Sequence, residues 1–488
     1  MKNLPEGIQK FKTIEDIIFH EMCKVACNII EEHLQTLDNQ VMAQRDTKEY
    51  RIVRFGKTTI KTRMGEVTFN RRCYKKKTGG YVFLLDEAIG ISDQCGLVSE
   101  NLMEELVREC TEKSFRKASK SISSLTGQNI SAMGAWNVFQ EYAQRIDKQE
   151  QRLKELKKTD KQDRTGKIAC PVLFEELDDV WIPMQKEKRN KHNGSIDDKS
   201  KKTGDKPLHT GTAYTAWSQT DDRKYHIVDK LAYACFGDIK QFNDIFGMLK
   251  NIRYDMDGIV RHIINGDGAS WIRSVAEQSD AILQLDPYHR NQAITKAIKD
   301  KHDRKAIYEA LGEKDASKAL EIIYSLITTE KDETTLKNLG ELYDYFSNNK
   351  DILLNWKERG IEYPAAPEGM QYRNLGVQES SNCNILTQRM KHRKASWSVN
   401  GGNHMAKILC FKHTIGLDAI TELIPNSSET ESLSDPSSSA KTPNYDGKGY
   451  GGDWLHANIP FKDVITTNGR KVIQSLLRQK GISELKYT

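Results

Sequence analysis

The sequence predicts an α/β catalytic core that carries an all-helical insertion and is preceded by a mixed helical and β-hairpin region. Three observations lead there. From Ile168 onward, apolar strand-like runs that end in acids alternate with helical patterns. Residues 291 to 360 read as helical throughout, and a basic, β-rich pattern lies between Tyr50 and Leu85.

With typical domains of roughly 100 to 200 residues, a chain of 488 residues has room for about three. The expected boundaries are 1–97 (N-terminal helix and basic hairpin), 98–165 (helical) and 166–425 (the core, with 291–375 as the insertion). A Ser-rich disordered linker, 426–448, and a tail, 449–488, complete the chain.

Helical periodicity over 11–45 places Ile17, Ile18, Met22, Val25, Ile29 and Ile30 on one apolar stripe, expected to pack. TTIKTRM and VTFNRRCY then flank Gly65-Glu66, a hairpin turn. In 98–146, Phe115, Ala118, Ile122 and Leu125 form a face ending at Thr126-Gly127, and Ser131 can cap the next helix. That pair reads either as a helix-turn-helix, with Trp136 and Gln140 on a DNA-reading helix, or as an ordinary helical hairpin.

In the core, VLFEELDDVWI, HTGTAYTAW and KYHIVDKLAYACF read as three successive strands. A helix over 239–252, a strand over 259–264, a helix near 271–276 and the strand AILQLD follow. This is the strand and helix order of a ribonuclease-H-like fold. Pro and Gly cluster in IEYPAAPEGM before a helix that begins near Glu379 and runs to about His392. NSSETESLSDPSSSAKTPN lacks apolar anchors and is expected to be disordered; the final helix, 472–477, is too short to interpret.

No apolar run approaches the roughly 20 residues a membrane-spanning helix requires. The N-terminus lacks the apolar core of a secretory signal, so a cytoplasmic protein is expected. Nine scattered cysteines, with no CxxC pair and no clustered His, read as reduced thiols rather than zinc ligands. The net charge of +6 is concentrated in two runs. Lys57–Lys77 carries eight Lys or Arg against one acid, and Lys186–Lys206 carries eight against four. Such runs suit phosphate backbones or a solvated face.

Functional groups gather at the C-terminal edge of strands in α/β sheets, which makes the acids after apolar runs the candidates for chemistry. In VLFEELDD, alternation puts Glu176 and Asp178 on one face and Glu175 and Asp179 on the other. Asp267 follows a strand between two glycines that let the chain bend sharply. Asp286 and His289 stand three apart after the next strand and read as structural support, in preference to metal ligation, or as DNA contacts. Glu379 opens a helix followed by Arg389, Lys391, Arg393 and Lys394, a basic face for a phosphate backbone. Three carboxylates can hold two hard divalent ions, Mg²⁺ or Mn²⁺, for in-line phosphoryl displacement.

GEVTFNRRCY, YVFLLDEAIGI, ELDDVWI, NGDGASWI, LDPYH and the GVQES…RMKHRKASWSVNGG block occur in order along nearly the whole chain. Together they resemble bacterial insertion-sequence transposases of the ISLre type, relatives of the mutator-like transposases. The resemblance implies a DDE transposase with Asp178, Asp267 and Glu379 as catalytic metal ligands and two Mg²⁺ or Mn²⁺ ions. Asp286 and His289 match the C/DxxH signature and would support the site. The implied partners are DNA, as terminal inverted repeats and target, and further copies of the chain; no membrane and no small-molecule substrate are implied, and the setting is bacterial and nucleoid-associated. The N-terminal hairpin is expected to meet DNA through Arg71, Arg72 and Lys75. Asp179 stands where the family pattern has glycine, which leaves the first acid open between Asp178 and Asp179. A ribonuclease-H-like nuclease without strand transfer, and an inert DNA-binding protein from a decayed element, remain open beside the transposase.

Overall fold

The structure is a computed structural model that describes residues 10–91, 98–158, 166–185, 204–221, 223–392 and 395–416. Most of the basic run 186–206, Arg393, Lys394, the 426–448 segment and the 449–488 tail lie outside the described residues.

The chain opens with α1 (Phe11–Gln44), β1 (Tyr50–Lys61), β2 (Glu66–Lys76), β3 (Tyr81–Val82) and α2 (Leu84–Ile89). Helices α3 (Glu100–Glu112), α4 (Phe115–Thr126) and α5 (Ala132–Lys158) follow. Two compact units divide within α5, between Tyr142 and Ala143.

In the first unit, β1 and β2 form the expected antiparallel hairpin, closed by Thr62–Gly65, where the Thr62 N–H donates to the Gly65 carbonyl at 2.8 Å. Ile60, Val67, Phe69 and Leu85 form a core, and Cys27, Ile30, Leu34 and Leu37 of α1 pack on it. The expected stripe on α1 therefore needs correction. Ile18, Met22, Val25 and Ile29 are 57, 60, 48 and 60% exposed. Asp38 is on the inward face: fully buried, it accepts from both the backbone N–H and the guanidinium of Arg72 on β2. A charge buried without its partner is costly, so Asp38 and Arg72 favour the rotation in which they meet, the same one that packs Cys27, Ile30, Leu34 and Leu37 inward. Ser114 caps α4, which ends at Gly127 in a left-handed conformation. Ser131 accepts from the Gly134 N–H at 2.9 Å in the first turn of α5, and Trp136 packs edge-on against Phe115 with ring centroids 5.0 Å apart.

The second unit is built on β4 (Val172–Ile182), β5 (Lys206–Tyr214), β6 (Ala216–Asp221), β7 (Lys224–Val228) and β8 (Leu231–Cys235). Next come α6 (Ile239–Arg253), β9 (Arg261–Gly266), α7 (Ser270–Gln278) and β10 (Ile282–Leu285). Five strands form one sheet in the order β10-β9-β4-β5-β8. β4, β5 and β8 are antiparallel neighbours, while β9 and β10 run parallel to β4. β4 is buried along nearly its whole length, which explains why its sequence is apolar apart from the acids.

Two expected strands each break in two. Thr215 turns the chain, its N–H donating to the Val228 carbonyl at 3.1 Å and its hydroxyl to Asp229 at 3.0 Å; Asp229 itself has φ 55. β6 and β7 leave the main sheet there and pair with each other, and β11 (Met370–Gln371) joins on β6.

α8 (Pro287–Ala297), α9 (Lys301–Gly312), α10 (Ala316–Thr329) and α11 (Glu333–Asn348) form the insertion, with Asp286, Asp300, Asp315 and Asp332 as N-caps. The helices end earlier than 360. After Asn348 the chain makes two 3-10 turns, and the buried Trp356 pins it to β10 by donating its backbone N–H to Gln284 at 3.0 Å. Phe174 lies among Tyr214, Trp217, Trp356 and Tyr372, with ring centroids 5.1 to 5.7 Å away. Finally α12 (Gln378–Ser381), a π-helical turn (Asn382–Thr387), α13 (Gln388–Met390) and α14 (Val399–Lys412) complete the unit. Lys407 of α14 is buried between Asp147 and Glu150 of α5 at 2.8 and 2.7 Å. Among the described residues no helix is long and apolar enough to cross a membrane.

Candidate metal centre

Strand register assembles this site. β4 pairs with β9 up to Glu176 opposite Asn265, and β9 pairs with β10 up to Gly266 opposite Leu285. One or two residues further on, the same register brings Asp267 and Asp286, just past the ends of β9 and β10, beside Asp178 within β4, where its pairing with β9 stops. That is where α/β sheets present functional groups. Behind this row lies a buried polar one. Asn265 donates to Glu176 at 3.1 Å and to Asp286 at 2.7 Å, and Gln284 donates to Asn265 at 3.2 Å.

Asp178, His289 and Glu379 come together most closely, each offering a ligand atom within 4.8 Å of the others. Asp178 is 9% exposed and accepts from Asn382 at 2.9 Å. His289 uses Nδ1 on Asp286 at 2.9 Å, leaving Nε2 3.6 Å from Glu379. A carboxylate on the far nitrogen of an imidazole is the usual way a metal-binding histidine is oriented. Asp267 is outside this tightest group. Its Oδ1 accepts from the Ala269 N–H at 2.9 Å and its carbonyl from Tyr345 at 3.0 Å, at the mouth of a cleft of about 570 Å³ that His289 also lines. The bend after Asp267 requires Gly268: φ is +89, and a Cβ there would lie 2.4 Å from Asn349 Oδ1.

The other acids of β4 face elsewhere. Asp179 meets His209 at 2.6 Å, and the buried Glu175 meets Lys250 and, at 2.8 Å, His262. Between Asp178 and Asp179, only Asp178 points into the acid group, as strand alternation requires.

Burial pushes Asp178 up to about 7, and Glu379 and Asp267 add to the rise while His289 opposes it. The hydrogen bond to Asp286 raises His289 to about 9, with Asp178, Asp286 and Asp267 adding to the effect. Burial acts to raise Asp286 too, but the bonds from His289 and Asn265 outweigh it and hold its carboxyl below the usual range. At neutral pH the His289 imidazolium is thus a built-in counter-charge to the acids. Two carboxylates this close, with Asp267 beside them and an imidazole nitrogen that becomes a donor once His289 gives up its proton, are a set that fits a divalent cation.

The expected DNA contacts divide. Arg71 pairs with Asp86 and lies over the Phe83 ring at 4.1 Å; Arg72 pairs with Asp38 and lies over Phe55 at 5.1 Å. Their side chains are 15 and 12% exposed, so the hairpin's adjacent arginines brace the first unit rather than standing open to phosphate, while Lys75 is exposed. Arg389 lies over the Trp397 ring at 5.0 Å and Lys391 is exposed. Asn265, Gln378 and Asn382 carry no signal in the sequence, and Glu176 stands out there only by sharing a face with Asp178. That shared face was the one available signal.

Residues 4–421 match an uncharacterised protein family, UPF0236. The chain belongs to this family. A UPF0236 relative from Streptococcus gallolyticus, described as the protein in the vanSb 3' region, is 24% identical over 411 residues, covering 81% of each chain. Among solved structures, a pre-cleavage Mos1 transpososome is 9% identical with a TM-score of 0.13, covering 51% of this chain and 78% of that one. A Drosophila P element transposase strand transfer complex is 8% identical with a TM-score of 0.21, covering 70 and 83%. Structural likeness this slight supports no inference about this UPF0236 member.

Proposed function

We propose that this UPF0236 chain is a DDE-type DNA transposase with a ribonuclease-H-like core, cutting at the ends of its element and joining them to target DNA. The observation that carries the reading is the convergence of Asp178, His289 and Glu379, from positions 178 to 379, at the C-terminal edge of parallel strands beside Asp267. The ordered motifs shared with ISLre-type transposases support it.

Asp178, Asp267 and Glu379 would hold two Mg²⁺ or Mn²⁺ ions. Such ions activate the attacking oxygen and stabilise the leaving one in an in-line phosphoryl displacement. The protein supplies position and charge. Asp178 is fixed by Asn382, and Asp267 is fixed by the turn into α7. His289, fixed by Asp286, holds a proton at Nε2 that balances the acids when no cation is bound. Lys75 and Lys391 are exposed cations that suit a phosphate backbone. The protein would act in the bacterial cytoplasm as an oligomer on the terminal repeats.

The test uses purified protein, Mn²⁺ or Mg²⁺, and labelled DNA carrying the ends that flank its own gene, with Asp267→Ala alongside. Nicks and joined products, both lost in the variant, are expected. Cleavage without joining would leave a nuclease, and binding without cleavage would leave an inert DNA-binding protein.

A further inference from the structure

Glu176 lies two residues before Asp178 and is 0% exposed. Its hydrogen bonds go to groups other than Asp178, His289 and Glu379, and they form an unusual set of donors. Its two oxygens accept from the backbone N–H groups of Gly376 (3.1 and 3.2 Å), Val377 (3.0 Å) and Gln378 (3.0 Å). The Tyr214 hydroxyl (2.5 Å) and the Asn265 amide (3.1 Å) complete the set. Val377 is the N-cap and Gln378 the first residue of the helix whose second residue is Glu379, so two of these are unsatisfied N–H groups of a helix start, and Gly376 immediately precedes the cap. A buried carboxylate fills them here, where a capping side chain or water would otherwise serve, and its negative charge suits the positive end of a helix.

Two more contacts fasten the same segment to the same strands. Gln378 donates to Thr210 on β5 at 2.9 Å, and Asn382 donates to Asp178 at 2.9 Å. The chain reaches this position only through Gly376, whose φ of +121 is closed to most other residues. Just past these contacts the helix widens into a π-helical turn, a feature that often marks functional sites.

The geometry points to Glu176 as a positioning residue: its carboxylate latches the start of the Glu379 helix to the strand carrying Asp178, so that the third acid is presented to the site only while the latch is closed. This rests on the metal-site reading above for its consequence, though the latch itself does not. Glu379 is 40% exposed on its side chain and its nearest ion partner is His289 at 3.6 Å, so its placement depends on the backbone beneath it.

The test has two readouts on the full chain. Hydrogen exchange reads the latch directly: Glu176→Gln puts an amide donor among N–H donors and should speed exchange of the 376–382 amides at least tenfold. Val377→Pro, at φ −82, which proline tolerates, deletes one donor and should act in the same direction if Glu176→Gln fails to fold. Mn²⁺ titration followed by electron paramagnetic resonance reads the consequence. Glu176→Gln should weaken Mn²⁺ binding roughly 10- to 100-fold, as loss of an outer partner of a ligand does. In a Glu379→Gln background the same change should add little, because both act through one group. Unchanged exchange at 376–382, or an equal loss of Mn²⁺ affinity in both backgrounds, would overturn the latch. If Asp178→Asn leaves Mn²⁺ binding untouched, the metal-site reading fails instead, and the exchange result alone decides the latch.

Discussion

Replacing Asp178 with Asn should stabilise the metal-free protein, and only at high pH. Asp178 is held at about 7 against an ordinary 3.8, because burial and the neighbouring Glu379 and Asp267 disfavour its charge. The folded chain therefore binds this proton more tightly than the unfolded chain. Stability associated with the group is fully present below about pH 4 and is lost as pH rises to about 7. At about 1.4 kcal/mol per pH unit the loss is about 4 kcal/mol by pH 8. Asp178 also helps hold the His289 imidazolium, so its removal gives back part of that gain, leaving about 2 kcal/mol. The hydrogen bond from Asn382 can survive, since an amide oxygen also accepts. For a unit of this size about 2 kcal/mol is about 4 to 8 °C in Tm. Thermal unfolding followed by circular dichroism in EDTA, at pH 4.5 and pH 8, reads it. Asp178→Asn should match wild type within about 2 °C at the lower pH and exceed it at the higher. Saturating Mn²⁺ should reverse the order, since ligand at about 100 times Kd stabilises by about 2.7 kcal/mol only where it binds. A variant no more stable than wild type at pH 8 without metal would refute the charge-crowding argument.

His289→Gln should behave in the opposite sense. Its folded value of about 9 lies above 6.5, so the stability it adds is present below about pH 6.5 and disappears as pH rises through 9; the variant should lose about 2 kcal/mol at pH 6.5 and nothing by pH 10 in denaturant titrations. Asp38→Ala leaves the Arg72 guanidinium buried without its partner and should destabilise the first unit by about 3 to 5 kcal/mol, seen as an early urea transition. A small loss would show that water reaches Arg72. Lys391→Ala should weaken binding to DNA of any sequence and lower the magnitude of the salt slope by about 1 in anisotropy titrations, whereas an unchanged slope would remove Lys391 from the interface.

What could be read in the sequence was local. The acids at 178, 267 and 286 follow apolar runs, and strand alternation alone separates Asp178 from Asp179. Their alignment across β4, β9 and β10 depends on register, which no single strand reveals. Glu176 escaped a role because its partners are backbone N–H groups 200 residues away, and backbone donors have no residue signature. The α1 stripe misled for a related reason: Ile18, Met22, Val25 and Ile29 satisfy helical periodicity, but the face that turns inward carries Cys27, Ile30, Leu34 and Leu37 together with the buried Asp38. The same pair, with Asp86–Arg71, shows why a run of cations is a poor guide to a phosphate-binding face. The strand break at Thr215 turned on a hydroxyl-to-carboxylate bond with Asp229, inside a stretch whose β-propensity is continuous.

The central claim is that Asp178, Asp267 and Glu379 hold divalent metal. Crystals grown with Mn²⁺ and measured at its absorption edge test it most directly. Anomalous peaks are expected within coordination distance of the Asp178 and Glu379 carboxylates, with Asp267 turned toward them. Peaks elsewhere on the protein, or none at this site in ordered crystals, would contradict it.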